Sequence, residues 1–388
     1  MAKPRKAPQP EEVQATIKQL IQQTLREALE AELEEFLGYP RYQRSDSDNY
    51  RNGYTSKTVK TISGELEVKV PRDRKGEFEP KLIPKRQTML DELENQIVAL
   101  YSKGMTTRDI QEILSEMYGF DVSPSLISKI TDRILPKLSE WQQRPLKEKY
   151  FLVWIDCIFY KIREEGQVKN KAVYVVIGLD LDGYKEVLGF WVNETESSRF
   201  WVGVLNDLKA RGVQDVFIFS IDGLSGLEKA IRAVFPKADV QRCIVHQIRN
   251  TLRYVSWKDR KEVAGDLKRV YGASTLEAAK EAFEEFRSRW GDKYPHVVKS
   301  WEVNWDALMA FFRYPVEIRR VMYTTNIIES VNSKFRKATA GRRVFPTDES
   351  LLKCLYMAVL ELERKWSRPV RNWALVYSQI ALLFEDRL

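Results

Sequence analysis

The chain has 388 residues, with 63 Lys and Arg against 55 Asp and Glu, giving a formal net charge of +8. Hydrophobic residues make up 44% and charged residues 30%, as in a globular protein, and the length suggests about two to three domains at roughly 100–200 residues each. The longest apolar run, near Ala172–Leu179, falls far short of the roughly 20 residues of a membrane span, and three scattered cysteines (Cys157, Cys243, Cys354) cannot build a disulfide framework.

Lys3, Arg5 and Lys6 precede Glu11 and Glu12 rather than an apolar signal core, so the expected setting is soluble, reducing and cytoplasmic. The charge is moderate for this length. It makes a polyanionic partner plausible, and the places where basic residues cluster then carry the information.

Residues 1–10 hold three prolines and three basic residues and read as a disordered arm. From Glu11 to Leu37, Val13, Ile17, Leu20, Ile21, Leu25, Leu29, Leu33 and Phe36 step by three or four, which predicts a helix stopped by Gly38 and Pro40. Its single apolar stripe must be buried against another domain or a second copy, and dimerisation is the favoured reading. Tyr42–Tyr54 reads as a polar loop. Lys57–Val70 alternates around Ser63-Gly64 as a β-hairpin. Pro71–Lys85, with Arg72, Arg74, Lys75, Lys81 and Lys85, reads either as a basic linker tracking a phosphate backbone or as a solvated linker.

Three helical patterns follow. The first spans Asp91–Lys103. The second starts at a Thr106/Thr107 cap and carries Ile110, Ile113, Leu114 and Met117. The third opens at Ser123-Pro124, with Ile127, Ile130 and Ile134 as its buried face. Two short helices meeting near Gly119 after a leading helix suggest a helix-turn-helix, placing Ser125, Ser128, Lys129 and Arg133 on the outer face of the reading helix. A trihelical module without DNA contact is the alternative.

From Phe151 the pattern changes to strands. FLVWIDCIFYKI reads as a strand covered on both faces, and AVYVVIGLD and EVLGFWV flank an Asp182-Gly183 turn. Then come a helix (Phe200–Lys209), the strand VFIFSID, a helix (Leu227–Phe235) and a short strand at Val240–Val245. Three antiparallel strands followed by alternating helix and strand is the order of a ribonuclease H-like core. Asn250 to about Tyr314 is helical throughout, as is the segment from Thr325.

Three carboxylates stand out. Asp156 lies in mid-strand among apolar neighbours, where an unpaired carboxylate costs several kcal/mol; it needs a metal or a buried basic partner. Asp222 ends VFIFSID before Gly223, which is equally ordinary turn chemistry. Glu329 could close a capping box with Asn326 or act as a metal ligand. It shares a polar stripe with Asn326, Asn332, Ser333 and Arg336, and is the one acid among seven basic residues (Arg319, Arg320, Lys334, Arg336, Lys337, Arg342, Arg343) between Arg319 and Phe345. Such a trio suits phosphodiester transfer, in which two Mg²⁺ ions roughly 3.5–4 Å apart activate the nucleophile and stabilise the leaving oxyanion.

Asp156, Asp222-Gly-Leu-Ser-Gly226, Gln241-Arg-Cys243-Ile-Val-His246-Gln-Ile-Arg-Asn250 and Tyr323-Thr-Thr-Asn326-Ile-Ile-Glu329-Ser-Val-Asn332 together resemble Mutator-type transposases of bacterial insertion sequences. The likeness extends to Leu37–Tyr42, Tyr50–Tyr54, Val70–Arg74 and Asn372-Trp373, and so covers nearly the whole chain.

What the resemblance implies is an α/β fold. A ribonuclease H-like catalytic core is interrupted by an all-α insertion and preceded by a mostly helical DNA-binding region with a helix-turn-helix and a small hairpin. The expected divisions are 1–85 (dimerisation and DNA contact), 86–148 (helix-turn-helix), 149–249 (core), 250–320 (insertion) and 321–388 (core helices). Asp156, Asp222 and Glu329 become a DDE triad holding two Mg²⁺, with Mn²⁺ able to substitute.

Expected partners are double-stranded DNA, as terminal inverted repeats and target, and a second copy in a homodimer at the nucleoid; neither membrane nor small-molecule substrate is expected. Cys243 and His246 are family hallmarks near the site, and with only His296 besides they are too few for a structural zinc. Candidate DNA contacts are Arg72, Arg74, Ser125, Ser128, Lys129, Arg133, His246, Arg249, Trp257, Asn326, Lys334, Arg336, Arg342 and Arg343. For Trp257, between Tyr254 and Arg260, base stacking competes with core packing. A plain metal-dependent nuclease and a DNA-binding repressor remain the rival functions.

Overall fold

The computed structural model describes residues 9–43, 47–194, 197–224, 226–323 and 326–388, and the side chains at positions 10, 11, 323, 326 and 329 lie outside that description. The arm expected at residues 1–10 lies outside it up to position 8, and Pro10 already opens a helix. The chain divides into two compact units, Met1–Arg133 and Ile134–Leu388, so the segment expected as one 86–148 domain is split between them.

The first unit begins with α1 (Pro10–Leu37), ended by Gly38 in the left-handed region at φ 78°, with its N–H donating to the Glu34 carbonyl at 2.9 Å. The hairpin of β1 (Arg51–Thr61) and β2 (Gly64–Asp73) pairs Val59 with Leu66 and Lys57 with Val68. It starts six residues before the expected Lys57, because a register shift between Arg51 and Tyr54 lets the polar approach strand join the ladder. Val59, Leu66 and Val68 present one apolar face, and Leu29 of α1 and Ile83 pack on it. Leu33 and Leu37 pack on Phe78. The α1 stripe is therefore buried mainly in its second half; Val13, Ile17 and Leu20 stay exposed.

Three helices complete the unit: α2 (Asp91–Ser102), α3 (Thr107–Tyr118) and α4 (Pro124–Asp132). The cap at Thr106 is reciprocal, its Oγ1 accepting from the Asp109 N–H at 3.2 Å while Asp109 accepts from the Thr106 N–H at 2.8 Å. Ser123 caps α4 by accepting from the Leu126 N–H. Ile127 and Ile130 form the buried face of α4, but that helix stops at Asp132. Ile134, expected on the same face, packs half-buried in the second unit's core.

The second unit opens with α5 (Leu135–Gln143) and then the antiparallel strands β3 (Lys149–Glu164), β4 (Gln167–Asp180) and β5 (Lys185–Asn193). Next come α6 (Ser198–Ala210), β6 (Asp215–Ile221), α7 (Leu227–Val234) and β7 (Asp239–Arg242), with β6 parallel to β3 and β7 parallel to β6. The sheet order is β5-β4-β3-β6-β7.

Both faces are covered, which explains the unbroken apolar run of β3. Val153, Ile155 and Phe219 meet Trp201, Leu205 and Ile231 of α6 and α7 on one side, and Phe151, Trp154 and Phe217 join the larger helical core on the other.

The short strand expected at Val240–Val245 ends instead at Arg242. The Cys243 N–H makes the last sheet bond, to the Ile221 carbonyl at 2.8 Å, and α8 (Ile244–Arg253) starts at once. The rest is helical: a 3₁₀ turn at Trp257–Asp259, α9 (Arg260–Tyr271), α10 (Leu276–Trp290) and α11 (Pro295–Met309). A second 3₁₀ turn at Ala310–Arg313 leads to α12 (Val316–Tyr323), α13 (Asn326–Thr339), α14 (Asp348–Glu363) and α15 (Trp373–Leu383). No helix among the described residues is long and apolar enough to cross a membrane.

Candidate active site at the ends of the parallel strands

The site is built by strand register. β3 and β6 run in parallel with Ile155 opposite Ile221, so the next residues, Asp156 and Asp222, stand at neighbouring positions on adjacent strands. β7 pairs Ile221 with Arg242, which sets Arg242 and the α8 start beside them. Sixty-six residues of sequence separation close to one strand spacing because the antiparallel strands β4 and β5 and then α6 carry the chain back to lay β6 parallel to β3.

Asp156 is 2% exposed. Its Oδ1 takes His246 Nε2 at 2.8 Å and its Oδ2 accepts from Asn332 Nδ2 at 2.7 Å. Burial alone would raise its pKa, but these two partners and the Cys157 N–H hold the carboxyl below its ordinary value. Burial would lower the His246 pKa, yet the pair with Asp156, together with the neighbouring Cys243, lifts it to about 10. At neutral pH the pair is therefore carboxylate with imidazolium. The basic partner of the buried Asp156 is thus a histidine.

Asp222 is half-buried and its Oδ1 accepts from the Gly223 N–H at 2.7 Å, so the turn chemistry is real and coexists with its place beside Asp156. Asp222, Gly223, Arg242, His246, Asn250 and Asn304 are among the residues around a cleft of about 350 Å³ at this edge. The Glu329 and Asn326 side chains lie outside the described residues. Position 329 is one helical turn before Asn332 on α13, the residue bonded to Asp156.

The donor chemistry fits a hard divalent cation: carboxylate oxygens on adjacent strands, Asp156 within β3 and Asp222 just past β6, each with a lone pair beyond its present hydrogen bond. Among the described residues no group of three or more His, Cys, Asp and Glu forms a ready metal cage.

The other candidates separate into two groups. Arg72, Arg74, Ser125, Lys129, Arg336 and Arg343 are exposed, and Trp257 is 85% exposed with the Arg260 guanidinium 6.0 Å from its ring centre, so core packing is not its role. Ser128 and Arg249 are half-buried. Arg133 is tied to the buried Glu94, Lys334 to Glu361, and Arg342 to the Cys354 thiol at 2.9 Å. Cys243 is buried at the sheet end. Asn332 and Arg242 were visible only as members of the sequence runs that carry the resemblance, Asn332 also of a polar stripe, and Asn304 carried no distinguishing local signal.

Comparison with known proteins brings class and family together. A family model described as Transposase, Mutator family, matches residues 3–369. The chain belongs to that family. It is 46% identical over 360 residues to a probable transposase for insertion sequence element ISRM3-like of Sinorhizobium fredii (strain NBRC 101917 / NGR234), covering 92% of this chain and 90% of that one. The transposase for ISRM3 of Rhizobium meliloti (strain 1021) matches equally, 46% over 92% of this chain and 90% of its own. The transposase for IS256 in transposon Tn4001 of Staphylococcus aureus is 30% identical, with 92% of each chain covered.

Proposed function

We propose that the protein is a DNA transposase that binds the terminal inverted repeats of its insertion sequence, cleaves at the element end and joins that end to target DNA. In this reading the second unit is a ribonuclease H-like core with an all-α insertion, and α3 and α4 form a helix-turn-helix. The observation that carries the proposal is the register that sets Asp156 beside Asp222, with α13 bonded to Asp156 one turn from position 329.

Asp156, Asp222 and Glu329 would hold two Mg²⁺ ions. When bound, Mg²⁺ supplies activation of the attacking oxygen and stabilisation of the leaving oxyanion. The protein's own share is orientation. His246 and Asn332 fix both oxygens of Asp156, so the carboxylate meets its ligand without reorganising.

In the first step a water oxygen bonds to phosphorus, the bond to the element's 3′-oxygen breaks, and that oxygen leaves with the electron pair and takes a proton. In the second, the freed 3′-hydroxyl loses its proton and bonds to a target phosphorus, while the target's own 3′-oxygen leaves with the electron pair and takes a proton. Exposed Arg72, Arg74, Lys129, Arg336 and Arg343 would contact phosphates, and Trp257 an unstacked base.

The test is incubation with Mg²⁺, a labelled element end and a plasmid target. Joined products support the proposal, cleavage alone favours a nuclease, and binding without chemistry favours a repressor. Asp156→Asn is expected to abolish joining while end binding persists; joining by that variant would refute the site assignment.

A further inference from the structure

Resting on the transposase reading, we propose that Arg242 grips the phosphate under transfer and that Asn304, from the helical insertion, is the residue that positions it. Three observations converge on this arginine. It is the last residue of β7, paired with Ile221, and so flanks Asp222 at the sheet edge. Its guanidinium turns back over the Asp222-Gly223 corner: a methyl group built on Gly223 would stand 3.8 Å from its Cζ. And it lines the cleft that also holds Asp222 and His246.

The anchoring is thorough. Arg242 Nη1 donates to Asn304 Oδ1, and Asn304 Nδ2 donates to the Ser300 carbonyl at 2.7 Å, so the amide cannot rotate away. The backbone is fixed as well: buried Gln241 donates through Nε2 to the Arg242 carbonyl at 2.8 Å and to the Leu308 carbonyl at 2.8 Å.

What the guanidinium lacks is an anion. Among the described residues Arg242 makes no ion pair, and its hydrogen-bond partner there is a neutral amide. A guanidinium has five donors in a planar fork, most of them here unspent. That fork matches two oxygens of a phosphate, where lysine offers only a point charge.

The cleft leaves room for such a grip. Among the described residues lining it, His246 is already bonded to Asp156, whereas Arg242 keeps most of its donors free.

The experiment uses the full chain on a duplex element end carrying either the natural scissile phosphodiester or a neutral methylphosphonate in its place. With the natural end, Arg242→Ala should lower kcat for cleavage about 10²–10³-fold, the size typical for removing one charge-stabilising donor, while end affinity stays nearly unchanged. Arg242→Lys should recover part of the rate. Asn304→Ala should lower kcat without moving KM, and its effect should vanish in the Arg242→Ala background.

The methylphosphonate should slow the wild type far more than Arg242→Ala. An equal methylphosphonate penalty in both proteins, or wild-type kcat in Arg242→Ala, would overturn the proposal. Should Arg242→Ala fail to fold, the neutral, similarly shaped Arg242→Gln against the two ends gives the same comparison. Loss of cleavage and joining by the wild type on the natural end would instead sink the transposase reading.

Discussion

The two units differ in where their unpaired and paired polar groups gather. The first buries Asp73 and Glu94 only as structural ties, to Asn49 and Arg133, while Arg72 and Arg74 stand exposed near small apolar clusters. The second draws polar groups in, with Asp156, Gln241 and Asn332 all buried and each given a partner. The contrast teaches how one chain can serve two tasks. Exposed cations suit reversible, salt-sensitive contact with a polyanion, whereas bond making requires groups fixed before the substrate arrives.

That comparison can be broken from either side, and the largest effect belongs to the buried unit. Trp301, fully buried with its Nε1 donating to Thr251 at 2.8 Å, ties α11 to α8 in the helical part of the second unit. Trp301→Ala should destabilise the second unit by about 3–5 kcal/mol, read as a lowered urea midpoint. A change below about 1 kcal/mol would mean this helical segment contributes little to the fold.

Next is Asn332→Ala, which removes one of the two bonds that orient Asp156. It should lower joining about 10–100-fold, as expected for a group supporting a ligand, with the fold retained by circular dichroism. Smallest are Arg72→Ala and Arg74→Ala. Each should leave cleavage chemistry untouched and flatten the log–log salt dependence of end binding by about one unit for every phosphate no longer neutralised. An unchanged slope would remove the linker from the DNA track.

Much of this was legible in sequence, for physical reasons that also set the limit. β3 to β6 announced themselves because both faces are covered, so their apolar runs are long. The β7–α8 junction did not, because the apolar residues of Val240–Val245 run across it, and only the sheet bond from Cys243 to Ile221 marks where the strand stops. The α1 stripe showed which face is apolar without showing how far its cover extends.

At the site, Asp156 was conspicuous because a charge in an apolar run is costly. Asn332, Arg242 and Asn304 were not, since a polar residue on a helix or at a strand end looks the same whether it meets water or another side chain. His246 was noticed for its motif, but its bond to Asp156 joins two strand-helix units that only the fold brings together.

The run Gln241-Arg242-Cys243 bears on modularity. Its three residues face different ways: Gln241 holds the end of α11, Arg242 meets Asn304, and Cys243 closes the sheet onto β6. The helical segment is thus stitched to the core at the very strand that borders the acidic pair. It follows that residues 250–320 are not a detachable cassette. A chimera that exchanged them between relatives would have to bring along the matching end of β7, and a minimal core trimmed of them would lose part of the wall of its own cleft.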